Sequence, residues 1–262
     1  MTVDAKRESF PWPLFCSELI GTALLVLGGL SCVILMFGNG SPLPLLVPNE
    51  GARRAITGFL FGTTGALVAI SPVGKTSGAH INPAVTVAFW LMRKINAGTL
   101  LVYVVAQLAG ASLGSVLLLG WGSMGRSVAF GATVPGAGFG VWEALAGEVV
   151  TTFAMVTLLC VFLGFRRLRA FTPLIFPFLY SFMVWAEAPL SGTSTNPART
   201  LGPALIAARW EGWWIYWLGP LLGAVAATLI CSILARRIEV AKLYYFDSAH
   251  DRLARRQAGG AA

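Results

Sequence analysis

Two similar stretches decide the fold: SGAHINPAVT at residues 77–86 and SGTSTNPART at residues 191–200. They lie 114 positions apart, and both have Ser-Gly followed, after three residues, by Asn-Pro-Ala. Asparagine is a preferred helix N-cap, proline fits the first helical position, and alanine favours continuation of the helix. Each copy therefore predicts a helix that begins at its asparagine.

The two predicted helices are too short to cross a membrane. They run from Asn82 to about Met92 and from Asn196 to about Ala207. At 1.5 Å per residue each measures roughly 16 to 18 Å, which is about half the thickness of a bilayer. The motif residues are Asn82, Pro83, Ala84, Asn196, Pro197 and Ala198.

The rest of the chain has the composition of a membrane protein. Of its 262 residues 56% are hydrophobic and only 11% are charged. Six apolar stretches are each near the roughly 20 residues that a membrane-spanning helix needs. They cover about residues 14–37, 55–73, 97–121, 141–165, 171–190 and 213–235. We expect an all-α membrane protein with six spans and two re-entrant half-helices, and we expect the first span to stay in the membrane.

Two further repeated patterns divide the chain into two halves. Glu18-x-x-x-Thr22 in the first span matches Glu148-x-x-x-Thr152 in the fourth. Gly110-x-x-x-Gly114 matches Gly219-x-x-x-Gly223, a pattern typical of close helix packing. Three spans per half force the second half to enter from the opposite face, so the halves are predicted to be inverted repeats. The single domain comprises repeat one at about 12–121, repeat two at about 141–238, and polar tails at 1–11 and 239–262.

The net charge of +8 is explained by topology. If both termini are cytoplasmic, fourteen Lys and Arg residues lie on that side and five on the other. This is the asymmetry of a multi-pass protein of the cell (plasma or inner) membrane with both termini inside. The basic residues therefore give no indication of nucleic-acid binding.

Several function classes lack the residues they need. Two histidines form no ligand cluster, and the acids within the spans are too few and too far apart for a metal site or an enzyme. Coupled transport needs titratable groups near the midplane, where this chain offers asparagines. We therefore expect no enzyme activity, no cofactor and no metal. Cys16, Cys32, Cys160 and Cys231 are expected to be free, buried and apolar in character.

Two acids within the spans are expected to have a structural role. Glu18 and Glu148 are costly to bury unless they meet polar partners. We expect them to accept backbone N–H groups from the irregular loops before the half-helices, in preference to carrying protons. His80 is expected to anchor the first of these loops, with pH gating as the alternative.

The inverted arrangement points both half-helix N-termini at the middle of a lumen. Each N-terminus carries about half a positive elementary charge, which opposes cations and hydronium. The carboxamides of Asn82 and Asn196 can donate to a passing water, whose hydrogens then point outward and interrupt a proton wire. The loop carbonyls expected to line the path are those of Gly78, Ala79, His80, Gly192, Thr193 and Ser194.

Paired Asn-Pro-Ala motifs in a six-span inverted repeat resemble the aquaporin and glycerol-facilitator superfamily, the major intrinsic proteins. The resemblance covers about residues 12–238. It implies an hourglass pore in every subunit and a homotetramer. It also implies that Arg199, directly after the second motif, lies at the narrowest constriction. The alternative is a structural arginine paired to a carbonyl.

The other constriction positions follow from the resemblance by counting. Counting back from Asn196 gives Thr193 on the loop and Val184 on the fifth span. Counting back from Asn82 gives Gly62, although one extra residue before Gly74 would place Phe61 there instead. Gly62 implies a wide ring that passes small neutral solutes, whereas Phe61 implies a narrow one.

The remaining family positions favour water. Thr200 and Ala204 stand where glycerol facilitators resemble one another in having Asp and a basic residue. Tyr216-Trp217 stands where water channels carry an aromatic pair. We therefore expect a passive channel for water, with limited passage of small neutral solutes and exclusion of ions and protons. The alternative is a facilitator for glycerol or another small uncharged solute.

Overall fold

A computed structural model describes residues 10–234, and this part of the chain is folded into helices without strands. Residues 1–9 and 235–262, which include most of the expected tails and the end of repeat two, lie outside it. Within residues 10–234, the eight helices of nine or more residues form two groups of four. They are α1 (Trp12–Phe37), α2 (Glu50–Ile70), α3 (Pro83–Leu91), α4 (Ala97–Leu118), α5 (Val141–Gly164), α6 (Thr172–Ser191), α7 (Pro197–Ala207) and α8 (Ile215–Leu234).

Six of these helices have the length of a membrane span. Five are also apolar enough to cross a membrane by composition: α1, α4 with its short continuation to Ser127, α5, α6 and α8. The sixth, α2, has 21 residues and carries its charged residues Glu50, Arg53 and Arg54 in its first turns. The charges lie at one end, so the apolar remainder of α2 is free to enter the membrane. The six-span architecture with two half-helices is confirmed.

The half-helices α3 and α7 have 9 and 11 residues. The Asn82 side chain caps α3 by accepting the Ala84 N–H at 2.8 Å. The Asn196 side chain caps α7 by accepting the N–H groups of Ala198 at 3.0 Å and Arg199 at 3.3 Å. Both helices start where the sequence predicts. The first is slightly shorter than expected because Met92 is its C-cap.

The packing shows that the two repeats are interlocked. Helix α1 packs on α4 and α5 packs on α8, which are equivalent pairs in the two repeats, while α2 packs on α6 across the repeats. The half-helices cross over as well: α3 packs against α8, and α7 packs against α4. Each half-helix is therefore held mainly by the last span of the other repeat. We call the face where α1 begins and α8 ends the inner face.

Glycines allow the paired spans to approach closely. A side chain at Gly110 or Gly114 of α4 would overlap the backbone of α1 at Leu19 and Ala23. A side chain at Gly223 of α8 would meet the Val149 carbonyl oxygen of α5 at 2.5 Å. The Gly-x-x-x-Gly echoes are thus helix contacts, as expected from the sequence.

The cysteines only partly match the expectation. All four are free, but only Cys160 and Cys231 are buried, whereas Cys32 is partly exposed and Cys16 is exposed. The expectation of burial was wrong for Cys16 because position 16 of α1 faces away from the bundle. In a membrane that face contacts lipid, where a thiol is also tolerated as a small apolar group.

Candidate functional site

The N-termini of the two half-helices meet through a reciprocal pair of hydrogen bonds. The Asn82 carboxamide nitrogen donates to the Thr195 carbonyl oxygen at 2.9 Å. The Asn196 carboxamide nitrogen donates to the Ile81 carbonyl oxygen at 2.9 Å. Each asparagine thus caps its own helix with its oxygen and holds the opposite loop with its nitrogen. Both positive helix ends are fixed at one place.

The loops before the half-helices have matching backbone conformations. Three residues in each loop have positive φ angles, which are uncommon for residues other than glycine. They are Gly78, Ala79 and Ile81 in the first loop and Gly192, Thr193 and Thr195 in the second. The same pattern recurs at equivalent positions of the two repeats. Such conformations persist only where the surroundings over-determine them, so strong partners are needed to hold the loops.

Glu18 supplies the partners for the first loop. Its carboxylate accepts the backbone N–H groups of His80 at 3.0 Å and Ile81 at 2.7 Å. It also accepts the Ser77 hydroxyl at 2.6 Å and the Gln107 side-chain amide at 2.7 Å. The hydrogen bonds of this fully buried acid therefore offset the conformational cost of the positive φ angles in the loop.

Glu148 does the same in the second repeat. Its carboxylate accepts the N–H groups of Ser194 and Thr195, both at 2.7 Å, and the Ser191 hydroxyl at 2.6 Å. The Ser191 hydroxyl also lies 2.5 Å from a carboxylate oxygen of Glu187. Sequence reasoning missed Glu187. Its signal was an acid one turn before Ser191 in an apolar helix, a rare and costly placement.

The structure brings Phe61, not Gly62, next to Arg199. The central guanidinium carbon of Arg199 lies 5.9 Å from the centroid of the Phe61 ring. A side chain at Gly62 would overlap the Phe176 carbonyl group of α6, so Gly62 is a helix contact. Counting back from Asn82 leaves Gly62 and Phe61 as alternatives, and the residue in contact with Arg199 is Phe61.

Arg199 lies in the first turn of α7 and is almost fully buried, at 5% exposure. One terminal nitrogen donates to the Gly131 carbonyl oxygen at 2.7 Å. Arg199 is therefore paired to a carbonyl, which was the structural alternative considered from the sequence, and it also lies beside Phe61. Gly131 belongs to the loop between α4 and α5, and no local pattern marked it as a partner.

The other expected constriction residues lie on the neighbouring segments. Thr193 is buried in the loop before α7, and Val184 is partly buried on α6. One helical turn from Val184 toward the inner face is Tyr180, which the sequence analysis did not single out. Its ring stacks on Phe61 with centroids 5.6 Å apart. Residues four apart share a helix face, so Phe176, Tyr180 and Val184 form one row.

A cavity of about 60 Å³ lies on the inner side of the paired asparagines. One water needs at least about 10–15 Å³ of such space, so the cavity has room for a few waters. Its lining comes from α1, α2, α3, α5, α6 and both pre-helix loops. The lining residues include Leu25, Phe61, Gly62, Ala79, His80, Asn82, Val85, Met155, Phe176, Tyr180 and Asn196.

His80 is packed within this region. Its imidazole Nδ1 lies 3.3 Å from the Thr86 hydroxyl, and its ring contacts Phe89 and Tyr103 at centroid distances of 4.5 and 5.0 Å. The side chain is 2% exposed. These contacts hold the loop against α3 and α4, and the absence of pH gating through His80 stays a prediction.

Comparison with known proteins gives one consistent picture. The model of the major intrinsic protein family matches residues 5–231. Aquaporin AqpM of Methanothermobacter marburgensis is 37% identical in an alignment of 231 positions that covers 81% of this chain and 93% of that protein. Aquaporin-6 of Rattus norvegicus is 35% identical, covering 83% of this chain and 75% of its own length.

The fold also matches a solved structure. The X-ray structure of the aquaglyceroporin from Plasmodium falciparum aligns with a TM-score of 0.67, over 84% of this chain and 95% of that one. At 20% sequence identity this likeness concerns the fold alone. With the family match across the spans and paired half-helices that meet by their asparagines, the chain belongs to the major intrinsic protein family, membrane channels for water or small solutes.

Proposed function

We propose that this chain is a water channel that excludes ions, protons and solutes of glycerol size. The observation that carries the proposal is the Phe61 ring beside the buried Arg199 guanidinium. A glycine at that point of the constriction would leave a wide opening, whereas the phenyl ring fills it. Thr193 and Val184 complete the proposed constriction ring. The curated relatives named above carry the name aquaporin, which supports this assignment.

Ion exclusion follows from the charges at the site. Arg199 keeps a permanent positive charge, and the N-termini of α3 and α7 add about half an elementary charge each. A cation entering the pore would lose its hydration water and would meet the positive charges of Arg199 and of the two helix N-termini at the narrowest part of the path. The proposed acceptors along the path are the loop carbonyls of Gly78, Ala79, His80, Gly192 and Ser194, which suit a neutral water better than an anion.

Proton exclusion rests on the two asparagines. Each carboxamide oxygen is used by its own helix, and one N–H of each nitrogen is used by the opposite loop. The second N–H of each remains for the lumen, because a primary amide has two. A water held by both donors points its hydrogens away from the centre on both sides. A continuous chain of donated protons is thereby broken at Asn82 and Asn196.

The topology and assembly are proposed on other grounds. The excess of Lys and Arg on the inner face supports cytoplasmic termini in a plasma or inner membrane. Family membership supports a homotetramer with one pore per subunit. Large apolar side chains cover the outside of the bundle, such as Phe178 at 66% and Leu101 at 65% exposure. These surfaces suit lipid and neighbouring subunits.

The test is stopped-flow light scattering on proteoliposomes that contain the full chain. One osmotic step uses sucrose and a second uses glycerol. We expect fast shrinkage in both, without glycerol re-swelling faster than in empty vesicles. Rapid re-swelling would replace the water channel by the alternative, a facilitator for small uncharged solutes. Shrinkage no faster than in empty vesicles would overturn the channel itself.

A matched pair of variants tests whether the Phe61 ring beside Arg199 narrows the pore. Phe61→Trp adds bulk beside Arg199 and is expected to lower water flux. Phe59→Trp adds the same bulk on the same helix, where Phe59 packs edge-on against Phe178 at the outside of the bundle. It is expected to leave the flux unchanged. Equal flux in the two variants, at equal amounts of folded protein, would place the constriction away from Phe61.

A further inference from the structure

One aromatic side chain next to the paired asparagines has no role in the function proposed so far. Tyr180 of α6 borders the cavity that both asparagines line, yet only 8% of the residue is exposed. Its hydroxyl lies 2.9 Å from the Thr195 hydroxyl. Thr195 directly precedes Asn196, and its carbonyl oxygen accepts the bond from Asn82. The phenol is thus placed at the point where the two half-helices meet.

The position of Tyr180 is fixed from several sides. Its ring stacks on Phe61 with 5.6 Å between centroids and an angle of 23° between the planes. Its hydroxyl also lies 3.3 Å from the Met155 sulfur of α5. On the same face of α6, Phe176 follows at a centroid distance of 6.4 Å. A ring held by three neighbours cannot swing aside at low cost when a solute arrives.

The hydrogen bonds also fix the direction of the phenol. The Thr195 hydroxyl donates its one proton to the Ser194 carbonyl oxygen at 2.7 Å. Toward Tyr180 the Thr195 hydroxyl can then act only as an acceptor, and the single phenol proton goes either to Thr195 or to the Met155 sulfur. What Tyr180 offers to the lumen is an oxygen lone pair beside the donors of the asparagines. A single water can use both kinds of group at once.

The rest of the cavity offers few hydrogen-bonding groups to replace the water that a larger solute would lose. Besides the asparagines and the loop, its side chains include Leu25, Val85, Met155 and Phe176, which are apolar or nearly so. A polyol passing the phenol would lose its hydration on several hydroxyls at a point where few partners exist. Both size and polarity at Tyr180 thus oppose such a solute.

We propose that Tyr180 is a second specificity-determining residue, forming a constriction at the paired asparagines that excludes polyols in addition to the ring around Phe61 and Arg199. The proposal rests on the proposed water-channel function. The two constrictions lie in series, so opening one leaves the other in control of solute passage. This would make Phe61 alone insufficient to set the selectivity of the pore.

Two single variants and their combination test this in proteoliposomes, with water and glycerol flux measured on the same preparations. Phe61→Ala alone and Tyr180→Ala alone are expected to keep glycerol flux near that of empty vesicles. The double variant is expected to raise it by about tenfold or more, the scale at which small size differences are discriminated in a pocket. Water flux of every variant shows that the pore has folded.

The contrary results are specific. Glycerol flux in Phe61→Ala equal to that in the double variant would show that Tyr180 restricts nothing. A double variant that passes water but not glycerol would show that neither Phe61 nor Tyr180 excludes glycerol. Glycerol flux in the wild type would overturn both constrictions, whereas an absence of accelerated water flux in the wild type would overturn the proposed channel. Failure of the Tyr180 proposal can therefore be distinguished from failure of the proposed channel function.

A second measurement decides the matter if the double variant does not fold. Tyr180→Cys places a thiol in the proposed lumen, and Phe178→Cys places one on the exposed side of the same helix. A small neutral methanethiosulfonate is expected to block water flux in Tyr180→Cys only, with the wild type as the baseline for the four native cysteines. Unblocked water flux in Tyr180→Cys would contradict the proposal.

Discussion

The guanidinium of Arg199 lies over the ring of Phe61, with 5.9 Å between its central carbon and the ring centroid. The same guanidinium donates to the Gly131 carbonyl oxygen at 2.7 Å. A contact of this kind with an aromatic face is attractive and holds the cation in place. The charge is therefore fixed between a loop and a ring, where it acts on everything that enters the proposed constriction.

Replacing Arg199 by leucine is expected to weaken cation and proton exclusion. A unit charge about 4 Å away contributes roughly 4 kcal/mol at an effective dielectric constant near 20, so its loss should raise leakage by at least about tenfold. The measurement is the decay of a pH gradient in proteoliposomes under a potassium clamp. Arg209→Leu is the control, since Arg209 is exposed and pairs with Glu211. Equal leakage in both variants would show that Arg199 is not the barrier.

The packing of Gly62 gives a prediction about stability. In Gly62→Ala the added methyl group would overlap the Phe176 carbonyl and push α2 away from α6. Overpacking of this kind costs about 1–3 kcal/mol. Gly65→Ala is the matched control, because its methyl group would meet only the Leu25 side chain, at 3.5 Å. Thermal unfolding in detergent should show a lower midpoint for Gly62→Ala alone, and a lowered midpoint for Gly65→Ala instead would contradict this packing.

Much of this architecture could be predicted because its signals are local. The caps at Asn82 and Asn196 and the apolar length of the spans are written in short stretches of sequence. The contacts of Glu18 and Glu148 were also within reach, since a buried acid needs donors and the irregular loops have them. These features depend on neighbouring residues or on the repeat, and both are visible without a structure.

The unpredicted features depend on contacts between distant segments. Phe61 and Gly62 are adjacent and the count from Asn82 left both open, so only the packing of α2 near α7 shows that Phe61 lies beside Arg199. Gly131 lies 68 positions from Arg199, and nothing in the loop sequence marks its carbonyl. Tyr180 looked like one more aromatic residue of an apolar span. Counting residues back from a motif leaves the equivalent position open when an irregular segment lies between the two.

The two acids at Ser191 are expected to respond differently to neutralisation. Glu148→Gln would place an amide N–H₂ against the backbone N–H of Ser194 or Thr195, leaving buried donors unpaired at about 1–3 kcal/mol. Glu187→Gln keeps an oxygen and gains a donor for the Ser191 hydroxyl, so it should be tolerated. Folded yield and thermal midpoint in detergent are the measurements. Equal losses in the two variants would mean that Glu148 does not hold the loop.

The asparagine pair gives a prediction that separates its two roles. Asn82→Asp keeps the capping oxygen for α3, because aspartate is an equally good N-cap. It loses the donor to the Thr195 carbonyl and turns two acceptors toward each other. The loss should destabilise the protein by about 1–3 kcal/mol and place a negative charge in the lumen. Water flux should fall, and cation leakage should rise.

The matched control for this change is Asn96→Asp. The Asn96 side chain caps α4 by accepting the Thr99 N–H at 2.8 Å, in an exposed position at the inner face. The substitution keeps that cap and adds the same charge outside the lumen, so stability and flux should stay as in the wild type. Thermal midpoints and proteoliposome fluxes of the two variants are compared directly. If Asn82→Asp behaves like Asn96→Asp, the asparagine of the first half-helix acts only as a cap, and the bond between the loops does not hold the pore together.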